Sequence, residues 1–268
     1  MTITRIGGAL GARVDGLDLA HDVSEQTMDQ LRAAFAEHQL LVFPGQAHIS
    51  AAQQAAFARR WADPYLTPDE VSPPCVDGVV EVMELRTAAN TKALTDQWHS
   101  DNSYAADPPW ATFLISRQIP AAGGDTMWAN QYAAFDSLSD ELKRVLRELK
   151  AVHCFDNGRN TLVAAGLSLT DPGGVHPVVR VIPQTGREAL FLNERFASHF
   201  VGMTWAESRP LMDYLTQRSV HPNFTYRHRW SLGDLVMWDN RCLQHFAIND
   251  YTEERVMHRL TIAESRAS

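Results

Sequence analysis

The feature of this sequence that most restricts its fold is a series of short strand-like runs, separated by turn signals such as Gly123-Gly124-Asp125. In the run 223–230, aromatic residues and a histidine occupy alternate positions, which is the period-2 pattern of a strand covered by apolar groups on one face. The other runs lie at 40–43, 111–119, 175–182, 189–193, 234–239 and 255–263. Together they predict a mainly β core.

Helix-capping signals predict helices that flank this core, and they lie at Ser24, at Ser50 with Gln53, at Ser137 with Asp140, and at Thr204 with Glu207. The first helix is expected to end at His38 and the second near Trp61. The third is expected to bury the apolar residues Leu138, Leu142, Val145 and Leu149. The segment from Asp156 to Gly174 reads as a long loop. A length of 268 residues predicts one domain over residues 1–268.

The net charge, the lack of long apolar runs and the cysteine spacing exclude several binding partners and several kinds of structural site. The net charge is −8 and the basic residues are scattered, so neither nucleic acid nor an anionic membrane is an expected partner. No apolar run has the length of a signal sequence or a membrane helix. The three cysteines share no CxxC spacing, which predicts neither disulfides nor a thiolate zinc site. We therefore expect a soluble cytoplasmic protein, and the sequence leaves open whether it forms a homo-oligomer.

Three residues form a candidate metal site. His99 and Asp101 are two positions apart, so on an extended strand both would project to one face, and His245 would join them from a distant strand. Two imidazoles and one carboxylate on a β scaffold are the ligand set of a mononuclear non-haem Fe(II) site. Bulky aromatic residues flank these positions: Trp98, Trp238 and Phe246.

A pair of arginines follows the third candidate ligand. In an extended strand Arg255 and Arg259 share one face, with roots roughly 13 Å apart. Because guanidinium groups bind carboxylates and sulfonates bidentately, two of them near a metal predict two anions, a cosubstrate and a primary substrate. The alternative is that both are ordinary surface charges. His258, on the opposite face, is interpreted as a packed core residue.

These residues belong to a longer series of motifs. The chain resembles the Fe(II)/2-oxoglutarate-dependent dioxygenases of the taurine dioxygenase (TauD)/TfdA family nearly from end to end. The motifs that carry the resemblance are Gly11 to Leu19, Leu41 to Gln46, Trp98 to Asp101, Gly123 to Trp128, His176 to Arg180, Trp238 to Arg241 and Arg255 to Arg259.

The resemblance implies a double-stranded β-helix, or jelly roll, with His99, Asp101 and His245 as iron ligands. It implies that Thr126 and Arg255 bind the distal carboxylate of 2-oxoglutarate, and that Arg259 binds the primary substrate. The further positions that it places at the substrate are Tyr65, Thr95, Asn102, Tyr104 and Phe196. Thr95 stands where the taurine enzymes carry asparagine, and Asn102 where they carry valine, so taurine itself is not expected.

The expected activity is hydroxylation of a small anionic organic substrate with Fe(II), 2-oxoglutarate and O2. An alkylsulfonate, with release of sulfite, succinate and CO2, is the first choice, and an aryloxyalkanoate or an alkyl sulfate ester is the alternative. Two readings from other classes remain at this point. A zinc hydrolase could use the same ligands, although no HExxH motif is present, and a non-catalytic jelly roll could simply bind a ligand.

Overall fold

The structure of the chain, a computed structural model, describes residues 1–66, 74–92, 96–155 and 173–264. The strands in these residues are β1 (Thr2–Arg5), β2 (Ala12–Asp15), β3 (Leu40–Phe43), β4 (Cys75–Val76), β5 (Val79–Thr87), β6 (Ala111–Gln118), β7 (Thr126–Asn130), β8 (Lys150–His153), β9 (Gly174–Pro177), β10 (Val179–Val181), β11 (Glu188–Leu190), β12 (Ala197–Phe200), β13 (Thr225–His228), β14 (Leu235–Asp239), β15 (Leu243–Ala247) and β16 (Arg255–Ile262). The helices are α1 (Glu25–His38), α2 (Ala51–Arg59), α3 (Gln131–Asp136), α4 (Asp140–Glu148) and α5 (Trp205–Ser219).

The largest sheet has eight strands in the order β1-β2-β3-β14-β6-β16-β5-β4. Its pairings are antiparallel except for the parallel contact between β2 and β3. A second sheet has the order β13-β7-β15, and a third has the order β12-β8-β9. The site residues are distributed over the first two sheets, because β15 carries His245 and β16 carries both Arg255 and Arg259.

Alternation along β3 shows how the large sheet is buried on both faces. Leu41 and Phe43 belong to a buried cluster with side chains of α1 and α2. Leu40 and Val42 belong to a different cluster, which contains side chains of β7 and β15. Successive residues of a strand point to opposite faces, so the helices cover one face and the β13-β7-β15 sheet covers the other. Two facing sheets with flanking helices confirm the predicted jelly roll.

Three of the predicted helix starts are confirmed. The Ser24 hydroxyl accepts the Thr27 N–H at the start of α1. Capping boxes, in which the capping side chain and the third helical residue bond to each other's backbone N–H groups, are formed by Ser50 with Gln53 and by Thr204 with Glu207. The second helix ends at Arg59, two residues before the predicted end.

The predicted helix start at Ser137 is wrong. The Ser137 hydroxyl donates to the Ala134 carbonyl behind it, at the end of α3, a helix that the capping signals missed. Helix α4 begins after Ser139 instead. Val145, which was predicted to be buried, is 43% exposed, and Leu146 is buried in its place.

The predicted strands at 175–182 and 189–193 are also corrected. The first run is divided into β9 and β10, which pair with different partners. The Val178 N–H donates to the Leu149 carbonyl, in register with β8, whereas the Val178 carbonyl accepts the Phe191 N–H, in register with β11, so the chain changes its partner strand at this residue. The second run ends at Leu190, after which Asn193 accepts the Phe196 N–H in a turn.

Three further expectations concern loops, membranes and cysteines. The predicted loop lies outside the described residues over 156–172. Among the described helices, none combines the length and the apolar character needed to cross a bilayer. Cys75 is exposed and Cys242 is buried, and neither is part of a disulfide.

Candidate active site

The three candidate metal ligands converge at one point. His99 and His245 form an isolated antiparallel bridge, with N–H to carbonyl distances of 3.1 and 2.7 Å. Their rings are 4.1 Å apart between centroids. The Asp101 Oδ1 lies 3.9 Å from the His99 Nε2 and 3.6 Å from the His245 Nε2. Of the described residues, these three buried side chains form the group with metal-ligand spacing, and their ligand atoms lie within 4.8 Å of one another.

The backbone conformation that places Asp101 at this point differs from the predicted one. Only His99 has strand-like pairing, whereas Asp101 begins a turn that runs to Tyr104. Asn102 has φ of 48° in this turn, a left-handed conformation that asparagine tolerates better than most residues. The i, i+2 argument therefore identified the right pair, but a turn rather than an extended strand brings the two side chains together.

A chain of buried hydrogen bonds fixes the Asp101 carboxylate. The Thr112 hydroxyl donates to the Asp101 Oδ2 at 2.6 Å and accepts from the Asn240 amide at 2.9 Å. The Asn240 Oδ1 in turn accepts from the Trp238 indole and from the Asp101 backbone N–H. These bonds leave the Asp101 Oδ1 facing the two imidazoles. Sequence reasoning missed Thr112 because nothing in the local pattern of β6 distinguishes it.

Electrostatics keeps the three groups in the form that binds metal. Burial lowers the pKa of His99 well below its usual value and also lowers the pKa of His245, so both rings are neutral. Burial opposes ionisation of Asp101, but the positive charge that His245 acquires at acid pH and the guanidinium of Arg259 hold the pKa of this carboxyl below its usual value. The His99 Nδ1 donates to the Gln97 carbonyl at 2.7 Å, which leaves its Nε2 for an ion.

Thr126 and Arg255, the candidates for binding 2-oxoglutarate, are joined through Trp230. The Trp230 indole donates to the Thr126 hydroxyl at 3.0 Å, and the Arg255 guanidinium lies 5.8 Å from the Trp230 ring centroid. Arg255 is buried, and its Nε and Nη2 have no hydrogen-bond partner among the described residues. Burial lowers the pKa of Arg255, and the negative charge of Asp125 opposes this shift. A buried cation with unused donors is suited to bind an anion.

Arg259 lies beside the candidate metal ligands. Its Nη1 is 3.6 Å from the Asp101 Oδ1. Neither Arg255 nor Arg259 is the exposed surface charge considered as the alternative. His258, on the other face, is mostly buried, with 13% of its side chain exposed, and it accepts a hydrogen bond from the Arg117 Nε at 3.1 Å.

The predicted substrate-side residues divide into three groups. Tyr104 and Phe196 are buried with their rings 5.1 Å apart, and the Phe196 ring lies 6.3 Å from that of His99. Burial raises the pKa of Tyr104 to about 12, and Tyr65 is close enough to add to this shift. Asn102 is buried in the turn that follows Asp101. Thr95 lies outside the described residues.

A jelly roll with two neutral imidazoles and a carboxylate at one buried point is typical of mononuclear non-haem Fe(II) oxygenases. The family model "Taurine catabolism dioxygenase TauD, TfdA family" matches residues 2–261. The chain therefore belongs to the TauD/TfdA family.

Relatives in this family have several substrates. An "Alkylsulfatase" of Acinetobacter baylyi is 32% identical over 275 residues, which cover 98% of this chain and 85% of that protein. An "Alpha-ketoglutarate-dependent sulfate ester dioxygenase" of Pseudomonas putida is 33% identical, with 96% and 88% covered. An "Alpha-ketoglutarate-dependent 2,4-dichlorophenoxyacetate dioxygenase" of Cupriavidus pinatubonensis is 32% identical, with 93% of each chain covered.

A solved structure agrees with the fold over the whole chain. The crystal structure of AAD-2 in complex with Mn(II) and N-oxalylglycine superposes with a TM-score of 0.84 at 28% identity, and the match covers 99% of this chain and 98% of that one. The predicted activity class is confirmed: the protein is a 2-oxoglutarate-dependent dioxygenase, an oxidoreductase that uses Fe(II), 2-oxoglutarate and O2. The zinc-hydrolase and non-catalytic alternatives are thereby set aside.

Proposed function

We propose that the primary substrate of this dioxygenase is a small organic anion with a sulfur oxyanion head, in the first place an alkyl sulfate ester and in the second an alkylsulfonate. The names of two relatives support the sulfate ester, which the sequence analysis had placed behind the alkylsulfonate. The 2,4-dichlorophenoxyacetate relative supports an aryloxyalkanoate as the competing substrate class. The position of Arg259, whose Nη1 is 3.6 Å from the Asp101 carboxylate, supports an anionic group held beside the metal ligands.

The convergence of His99, Asp101 and His245 is the observation that carries the proposal. We assign these residues as the Fe(II) ligands, because neutral imidazoles and an ionised carboxylate are the donor set that non-haem iron requires. Bound by these three side chains, Fe(II) would supply the chemistry that reduces O2 with electrons from 2-oxoglutarate, which becomes succinate and CO2, and that hydroxylates a substrate C–H bond.

The remaining residues bind and orient the reactants. Arg255 and Thr126 are assigned to the distal carboxylate of 2-oxoglutarate, because Arg255 offers buried donors without partners in the described residues. Arg259 holds the primary substrate and thereby decides which C–H bond faces the metal. Tyr104 and Phe196 exclude water from the substrate side, and Tyr65 lies beside them. We keep Asn102 and Thr95 as candidate substrate contacts.

The products follow from the position of the hydroxyl group. Hydroxylation of the carbon that bears a sulfate ester gives an unstable product, in which the C–O bond to sulfate breaks as the new hydroxyl loses its proton. An aldehyde and inorganic sulfate result, and one oxygen atom of O2 ends in succinate. With an alkylsulfonate the C–S bond breaks in the same way and sulfite is released.

Three expectations about the protein as a whole stay proposals. We propose one domain over residues 1–268, a cytoplasmic location, and free small molecules rather than nucleic acid or membrane as binding partners. The net charge of −8 supports the last of these.

Substrate-dependent succinate formation tests the proposed function. The purified protein, with Fe(II) and 2-oxoglutarate in air, is offered hexyl sulfate, hexanesulfonate and phenoxyacetate in turn. Hexyl sulfate is expected to give the largest increase in succinate, with an equal amount of inorganic sulfate. An increase with phenoxyacetate alone would contradict the proposed substrate class.

A further inference from the structure

The direction of the hydrogen bond between Trp230 and Thr126 is fixed by the chemistry of the two groups. An indole N–H donates and has no lone pair with which to accept, so at 3.0 Å the Trp230 Nε1 is the donor and the Thr126 hydroxyl oxygen is the acceptor. A hydroxyl carries a single hydrogen, and among the described residues no acceptor for that hydrogen lies within reach of Thr126. Both side chains are buried. The bond therefore leaves Thr126 with an unused donor in a buried place.

Arg255 gives the same surroundings the same polarity. Its guanidinium carbon lies 5.8 Å from the Trp230 ring centroid, and its buried Nε and Nη2 have no hydrogen-bond partner among the described residues. The turn that leads into Thr126 packs against the stem of this arginine, since a Cβ built on Gly124 would lie 3.4 Å from the Arg255 Cδ. Both sets of unused donors thus adjoin Trp230. A group that only accepts hydrogen bonds, such as a carboxylate, suits them both.

The orientation of the Trp230 indole is held by side chains on the far side from Thr126. The His228 ring meets the Trp230 ring edge to face, at 4.9 Å between centroids and an angle of 87°. The His228 Nε2 donates to the Asp234 Oδ2 at 3.1 Å, and the Ser231 backbone N–H donates to the same oxygen at 2.8 Å. One carboxylate therefore fastens both the ring beside Trp230 and the residue that follows it in the chain. These contacts oppose rotation of the indole away from Thr126.

We propose that Trp230 is a positioning residue for the cosubstrate. By occupying a lone pair of the Thr126 hydroxyl, its indole N–H directs the hydroxyl hydrogen toward the distal carboxylate of 2-oxoglutarate. This inference rests on the proposed function, which assigns Thr126 and Arg255 to that carboxylate, and it adds how the hydroxyl is directed. Without the indole N–H the hydroxyl is free to rotate and to turn a lone pair toward the anion, which repels it. Trp230 acts through Thr126, so its effect exists only while the hydroxyl is present.

Equilibrium binding of an inert cosubstrate analogue tests this role without turnover. The full chain is loaded with Mn(II), and N-oxalylglycine, in which an NH replaces a CH2 of 2-oxoglutarate, is titrated by calorimetry. Trp230→Phe keeps an aromatic ring in place but removes the N–H, and the dissociation constant is expected to rise by about threefold to tenfold. Thr126→Val removes a hydrogen bond to a charged group and should raise it by about tenfold or more.

The double variant separates positioning from general damage. In the Thr126→Val background, Trp230→Phe should change the dissociation constant by less than about twofold, because no hydroxyl is left to direct. The affinity for Mn(II) should match that of the wild type in all three variants. Trp61→Phe is the matched control, because the Trp61 indole N–H has no partner among the described residues and its ring packs against Phe35 of α1. This control should leave both affinities unchanged.

A spectroscopic measurement keeps the test available if Trp230→Phe does not fold. In the metal-free protein labelled with nitrogen-15, Thr126→Val should shift one indole N–H proton resonance upfield, because that N–H loses its acceptor. Thr126→Ser keeps a hydroxyl and should leave this resonance close to its wild-type position. If no indole resonance moves in Thr126→Val, the bond from Trp230 is absent and the inference is overturned.

The inference and the proposed function fail in different ways. If Thr126→Val weakens N-oxalylglycine binding but Trp230→Phe does not, or if the effects of the two substitutions multiply in the double variant, only the role of Trp230 is lost. If Thr126→Val binds N-oxalylglycine as tightly as the wild type, the assignment of Thr126 to the cosubstrate is lost, and the role of Trp230 is lost with it.

Discussion

Replacing Thr112 with valine tests whether the buried hydrogen bonds around Asp101 prepare the metal site. Valine has nearly the shape of threonine, so the change removes the hydroxyl that donates to the Asp101 Oδ2 at 2.6 Å and leaves the volume almost unchanged. The carboxylate then loses the bond that directs its Oδ1 toward His99 and His245. We expect the protein to fold and to bind metal less tightly.

The magnitude follows from the two bonds that Thr112 makes. A hydrogen bond to a charged group contributes about 1.5–3 kcal/mol, which corresponds to a metal affinity about ten to a hundred times weaker. The Asn240 amide, 2.9 Å from the Thr112 hydroxyl, is left without this acceptor. This loss should lower the free energy of unfolding by about 1–3 kcal/mol.

Anaerobic titration with Mn(II), followed by electron paramagnetic resonance of the free ion, measures the affinity. Thr185→Val is the matched control, because it removes a hydroxyl bonded to Tyr132 at 3.2 Å, and Thr185 makes no described contact with the metal ligands. The control should bind Mn(II) as the wild type does. If Thr112→Val, shown to be folded by its circular dichroism, has wild-type affinity for Mn(II), the reasoning about Asp101 is refuted.

Three further predictions concern the cosubstrate, the substrate and pH. Arg255→Met should raise the 2-oxoglutarate concentration at half-maximal rate by about tenfold or more, since it removes a buried charged donor; an unchanged value would reassign Arg255. Arg259→Met should weaken substrate binding but leave slow, uncoupled conversion of 2-oxoglutarate to succinate, and equal loss of both activities would contradict this division of roles. Burial lowers the pKa of His153 to about 3 from its ordinary value of 6.5. As the pH falls below 6.5, His153 therefore binds a proton in the unfolded chain but not in the folded protein. Between pH 6.5 and 5.5, urea unfolding should therefore show His153→Gln losing about 1 kcal/mol less stability than the wild type, and equal losses would show that His153 is not buried as a neutral ring.

The parts of the fold that could be predicted from the sequence are those that depend on patterns of a few neighbouring residues. The apolar runs at 40–43 and 234–239 predicted the strands β3 and β14, and the capping boxes at Ser50 and Thr204 predicted helix starts, because these signals span only a few residues. The failures occurred where one local signal had two physical outcomes. At Ser137 the hydroxyl bonds backward to Ala134 instead of forward, and at Val178 an apolar run changes its partner strand from β8 to β11.

The candidate site, like the fold, could be predicted only in part from the sequence. His99, Asp101 and His245 could be recognised because few residue types form such a ligand set, and Arg255 because it stands in a recognisable motif. Thr112 could not be recognised, since it reaches Asp101 only through the register that pairs β6 with β14 and sets Thr112 opposite Trp238.

The most direct test of the account is whether His99, Asp101 and His245 hold Fe(II) together with 2-oxoglutarate. Anaerobic addition of both to the wild-type protein should produce a weak visible charge-transfer band, and O2 should bleach it as succinate forms. Asp101→Ala should give no band at the same concentrations. The control Arg209→Met, which removes an arginine that pairs with Asp213 on α5, should give the wild-type band. A full-strength band in Asp101→Ala, or none in the wild type, would contradict the proposed metal site.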